Sequence, residues 1–414
     1  VLSTAGSTIA ATFSVALFEP RFIDTQLATT LTLDGTTTVA AMVYTDLLTP
    51  DVNTNLIGTI TQGITSLNTG AASATAMNTL MDSTIGATTR ASFSSTLPTM
   101  SSLELNARAS NFDLNTALAY ADNGLVNAGL ITVTGTNVNL SGGTFDSTRT
   151  QDYNAALTLG ADTTLTTSGT GSAGNVLFSS TLDSLSTTPY SLSVVTGATS
   201  TTTFSGAVGG NDELHNLSVS GLSAINGGAI TTTGTQGYAG AVTLAADTTL
   251  TTSGTGSAGN VLFSSTLDSL STTPYSLSVV TGATSTTTFS GAVGGNDELH
   301  NLSVSGLSAI NGGAITTTGT QGYAGAVTLG DDTTLTSTGT GAITFASTIN
   351  GASALTIATA GTTTFRGIVG GVAPLTSLIV GAGPIAINTT AINTTGLQTY
   401  SGAVTLGGSG TTTT

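Results

Sequence analysis

Bulky residues followed by small ones recur through much of the chain, at Tyr238 (YAGAV), Phe263 (FSSTL), Phe289 (FSGAV), Ile310 (INGGA) and Tyr323 (YAGAV), in steps of 25, 26, 21 and 13 residues. The series returns at Tyr323, Phe345, Phe365, Ile387 and Tyr400, in steps of 22, 20, 22 and 13. Between these positions Thr, Ser, Gly and Ala predominate. Thr is β-branched, and its stiff χ1 favours a pleated strand over a helix. The pattern predicts short strands joined by turns, in sub-repeats of about 20 residues that read as the coils of a solenoid.

A longer period contains this one. The motif Q-x-Y-x-x-A-[LV]-T-L begins at Gln151, Gln236, Gln321 and Gln398, in steps of 85, 85 and 77 residues. Ala161 to Thr235 recurs unchanged as Ala246 to Thr320, so the unit tolerates multiplication, as fibres do and enzymes seldom do. The shorter last copy lacks polar stretches such as DSLSTTPYS (Asp268 to Ser276), as expected if loops leave a constant core. The chain therefore divides into a non-repeating head (1–125), a transition (126–150), repeats at 151–235, 236–320 and 321–397, and the start of another at 398–414.

Two all-β architectures fit this period. Tandem β-sandwich, Ig-like domains of about 85 residues would make a surface stalk. A parallel β-solenoid (β-helix) instead needs every coil to put similar residues in similar places, as FSGAV, YAGAV and FRGIV do; the finer grain favours this reading. Coils would stack at about 4.8 Å, with aromatic and aliphatic residues in an interior column and Thr and Ser outside. Gly209-Gly210 and Gly312-Gly313 would form corners. In the head, Leu56, Ile60, Ile64 and Leu67, and then Met77, Leu80, Met81 and Ile85, have helical spacing. A non-repeating end is expected to protect the first open coil from pairing.

Composition narrows the function. Of 414 residues 39% are hydrophobic and only 6% charged, with a formal net charge of −16 and no Cys. Disulfides, thiol catalysis and Cys-ligated zinc are excluded, and phosphate backbones would be repelled, so nucleic acid is a poor partner. No apolar run reaches the roughly 18 residues of a membrane span. The start lacks the basic segment of a signal peptide, so the chain reads as mature or as a fragment, and the final TTTT reads as a repeat that continues.

The phrases FSGAVGG, LSVSG and AINGGAITTTGTQGYAGAVTLAADTTLTTSGTG, within Asn137 to Thr414, resemble the β-strand repeats of large bacterial surface proteins of the filamentous-haemagglutinin type. The resemblance implies secretion, elongation and adhesion. The amino-terminal secretion domain of that family is not evident in residues 1–125, which leaves room for a self-assembling filament subunit.

Candidate sites are few. His215 and His300 each lie in GGNDELHNL. Residues 85 positions apart would stand about four coils, roughly 19 Å, from each other, too far to share an ion. The last copy reads GGVAPLTSL, with Thr376 in place of His, so a solvated turn is expected there. Asp212, Glu213, Asp297 and Glu298 are weak Ca²⁺ candidates, as are the turns at Asp162, Asp247 and Asp331-Asp332, but the Gly-Gly-x-Gly-x-Asp nonapeptide is absent. Asn139, Asn216, Asn301, Asn388 and Asn393 satisfy the Asn-x-Ser/Thr rule. No nucleophile elbow, phosphate loop or paired-carboxylate cleft is evident. The expectation is a non-enzymatic extracellular or cell-surface rod or filament that adheres and self-associates, with surface polysaccharide as a partner. The alternatives are a carbohydrate-binding or carbohydrate-active β-helix and a surface-layer (S-layer) lattice subunit.

Overall fold

A computed structural model describes residues 42–45, 58–61, 103–107, 112–113, 131–140, 143–185, 188–270 and 273–407. Residues 138–406 fold as parallel β-solenoid coils of about 22 residues, with no α-helix. Parallel pairing throughout the repeats excludes the tandem-sandwich alternative, whose sheets are antiparallel. Among the described residues no helix is long and apolar enough to cross a membrane.

The chain forms two compact units, Val1–Leu182 and Asp183–Thr414. In the first, Met42–Thr45, Gly58–Thr61 and Leu103–Ala107 pair antiparallel, and Leu103–Ala107 then runs parallel to Ile131–Leu140. Gly58–Thr61 is thus a strand where the spacing of Leu56, Ile60, Ile64 and Leu67 suggested a helix. The Thr and Gly within it favour an extended chain once a partner strand is present. The second such segment, Met77 to Ile85, lies outside the described residues. Coils follow: Ile131–Leu140 pairs with Gln151–Leu159, which pairs with Val176–Phe178.

The second unit has three strand positions per coil, and each position stacks into its own face. Face one is built by Leu217–Val219, Gln236–Tyr238, Val261–Phe263 and Thr286–Phe289. Face two follows from Leu222–Ile225, Val242–Leu244 and Leu267–Ser269. Face three contains Ala229–Thr232, Thr248–Thr252, Leu277–Val280 and Leu302–Val304. Side chains alternate in and out, as strand geometry requires: Val261 and Phe263 are buried, while Leu262 between them is 41% exposed. Inside, the rings of Tyr238, Phe263 and Phe289 stack at 5.4 and 5.5 Å with planes within 12° and 3° of parallel. Tyr323, Phe345 and Phe365 repeat the column at 5.3 and 5.6 Å.

The steps of 25, 26 and 21 residues are therefore whole coils, because Tyr238, Phe263, Phe289 and Ile310 lie in register on one face. The step of 13 is not. Ile310 pairs with Leu329, whereas Tyr323 stacks on Val304 of face three. From Gln236 to Gln321 the chain makes ten strands and one single-residue bridge at Val293, eleven strand positions in all. From Gln321 to Gln398 it makes nine strands and two bridges, at Val369 and Ile392, again eleven. Loop length varies between these repeats while the strand count holds.

Eleven positions at three per coil are three and two-thirds coils, so each repeat begins one face away from the last. Gln236 is on face one, Gln321 on face three, and Gln398, stacked on Leu378, on face two. This corrects the expectation of about four coils between equivalent residues: they differ in face as well as height.

Candidate functional site

Each repeat carries one protruding loop, and its construction is local. Val208 and Leu214 bridge to Ile230 and Thr232, so Gly209 to Glu213 bulge out opposite the single residue Thr231. The same device recurs between Val293 and Leu299, and between Val369 and Leu375. Gly209, Gly294 and Gly370 open the loops at φ of 63°, 62° and 67°. A Cβ at Gly209 would also collide with the Thr231 carbonyl oxygen, so this position admits no side chain. Gly313, at φ 73°, makes a turn as the sequence suggests.

A carboxylate from the preceding coil holds each acidic loop. Asp183 accepts from the Asn211 amide at 2.9 Å, and Asp268 from the Asn296 amide at 3.0 Å. Both are nearly buried, at 8% and 9% exposure. In the third loop Asn350 takes the position and accepts from the Val372 amide at 2.8 Å. An acceptor oxygen is what the loop needs, and charge is dispensable. Asp268→Asn is accordingly expected to leave amide hydrogen exchange at Asn296 nearly unchanged. Asp268→Ala should speed it by roughly one to two orders of magnitude, matching the loss of about 1.5–3 kcal/mol for a charge-assisted bond. Equal protection in the two variants would refute the anchoring role.

The remaining candidate residues are spread out in the same way. The Nδ1 atoms of His215 and His300 lie 3.1 Å from the Thr233 and Thr318 hydroxyls, and both rings are exposed. Their backbone amides donate to the carbonyls of Tyr190 and Tyr275, and Thr376, standing in for His, donates equally to Ser353. Glu213 accepts from Ser253 at 3.2 Å and Glu298 from Thr338 at 2.8 Å. Asp297 and Asp212 accept, through backbone oxygens, from the Ser269 and Ser184 amides. Asp247 and Asp332 each accept a backbone amide of the next coil, from Ser276 and Ala354 at 2.8 Å. Among the described residues no three carboxylate or imidazole groups converge on a point where a metal ion could sit. At Asn216 the amide is committed at both ends, accepting from Thr235 and donating to Ser191, and Asn301 repeats this.

One polar constellation escaped the sequence reading, and it is internal. Gln236 and Gln321, each 1% exposed, lie beneath the corner that precedes them. The Gln321 amide donates to the carbonyl oxygens of Ile315 and Thr336 at 3.3 and 2.8 Å, while its Oε1 accepts from the Tyr323 hydroxyl at 3.1 Å. Thr336 belongs to the next coil, so the side chain stitches one coil to another. Burial pushes the phenols of Tyr238 and Tyr323 far above their usual range, so they stay neutral hydrogen-bond donors. The signal was available: Q-x-Y on a strand places both side chains on the same side.

The site is thus a set of separate loops and an internal scaffold, without a cleft gathering chemistry. Comparison with known proteins finds no family model, no curated protein and no solved structure that matches this chain.

Proposed function

We propose that this chain is a structural, non-enzymatic protein of an extracellular fibre or bacterial cell surface, whose stacked coils serve as a stiff spacer that carries loops for adhesion. The observation that carries the reading is the use made of its few ionisable groups. Carboxylates cap turn amides and anchor loops one coil apart, and none is brought towards a second as acid–base chemistry or metal binding requires. Duplication of a whole repeat without change of sequence supports it, since lengthening a spacer preserves its action. So does the resemblance to filamentous-haemagglutinin-type repeats, now with a common parallel-solenoid architecture.

Electron microscopy of the native material, with sedimentation of the isolated chain at dilution, tests this. Slender particles or filaments lengthening by about 18 Å for each added 85-residue repeat are expected from three and two-thirds coils at about 4.8 Å. Compact particles whose length does not change with repeat number would sink the proposal.

A further inference from the structure

The second unit places its charge in an unusual way. Between Asp183 and Thr414 the sequence holds nine acidic residues and one basic residue, Arg366, apart from two histidines. Asp183 and Asp268 are nearly buried under their loops. The other seven are in turns or loops at corners. Asp331 and Asp332 lie between faces one and two, after Val327–Leu329 and before Thr333–Ser337. Asp247, Asp297 and Glu298 lie by the corner of faces two and three, and Asp212 and Glu213 by that of faces three and one.

The faces between these corners are uncharged. On face three the outward column runs in register from Thr249 through Ser278, Ser303, Gly322 and Thr344 to Thr364. Face one shows Ser218, Gly237, Leu262, Thr288 and Ala309. Face two shows Thr334, Thr356, Ile379 and Thr399. Regular β faces without charge are self-complementary surfaces, since every copy presents the same coil spacing of about 4.8 Å.

The eleven-strand repeat links the two observations. Were a repeat a whole number of coils, its acidic loop would return to the same corner, leaving the other faces bare. One face of rotation per repeat carries the acids round all three corners.

We infer that the three uncharged faces are side-by-side contact surfaces for second copies of this chain, and that the acidic corners oppose this contact until salt screens them. Two copies meeting on any face bring acidic corners together, and the repulsion reaches about 10 Å at 0.1 M salt and about 3 Å at 1 M. This goes beyond the spacer role and does not depend on it, because the corners act whatever the loops adhere to.

Small-angle scattering of the full chain separates sideways from end-to-end growth, since only the former widens the cross-section. Wild type is expected to keep a single-copy cross-section at about 20 mM NaCl and to widen above about 0.5 M. The variant D212N/E213Q/D247N/D297N/E298Q/D331N/D332N retains the acceptor oxygens and should widen already at about 20 mM. A wild type that is equally wide at both salt concentrations, or single at both, would overturn the inference. So would a variant that folds by circular dichroism yet stays single at low salt. Should the variant fail to fold, the wild-type salt series decides alone.

Discussion

Phe263→Ala is expected to lower the unfolding free energy by about 3–5 kcal/mol, the cost of emptying an aromatic position in a packed core. The ring is 1% exposed and lies between Tyr238 and Phe289, so truncation removes two stacking contacts as well as buried area. No larger residue stands ready to fill the gap, because neighbouring coils hold their own rings in register. Thr288→Ala, on the outward side of the adjoining strand, should change stability by less than about 0.5 kcal/mol. Urea unfolding of the two variants gives the comparison, and hydrogen exchange at the flanking coils should locate the loss, since each coil contacts only its neighbours. Equal midpoints would mean that the stacked column is not the main source of cohesion.

Gln321→Leu should cost about 2–4 kcal/mol for a different reason. Leucine fills a similar volume but orphans the Tyr323 hydroxyl and withdraws a donor from the Thr336 carbonyl of the next coil. Much of the loss is the penalty for leaving buried polar atoms unpaired. Adding Tyr323→Phe removes one of those atoms, so the double variant is expected to be more stable than Gln321→Leu alone, despite having one more change. A double variant less stable by the full cost of both single changes would show that the two side chains act independently.

Much of this fold is legible in the sequence because a solenoid repeats its environment. Phe263, Phe289 and Phe365 recur at near-coil spacing, and each lies in an interior column. The step of 13 from Ile310 to Tyr323 is legible as a number but not as a rotation, because sequence spacing alone does not say how many strands a coil contains. Coils average about 22 residues, slightly above the expected 20, since corner loops add length without adding strands. At the candidate site, the replacement of His300 by Thr376 already marks the imidazole as dispensable, and both positions use the backbone amide alike. The anchoring of Asn296 by Asp268 was hidden, since the two lie 28 residues apart and meet only through stacking.

The pairing of an eleven-strand repeat with a three-strand coil couples length to azimuth. Gain or loss of one repeat changes the axial span by about 18 Å and turns everything beyond it by a third of a revolution. Variation in copy number would therefore re-aim whatever the distal coils carry, and only changes in multiples of three repeats would leave its direction unaltered. Recombination between identical repeats, commonly regarded as an adjustment of reach, would here act as a rotary setting as well.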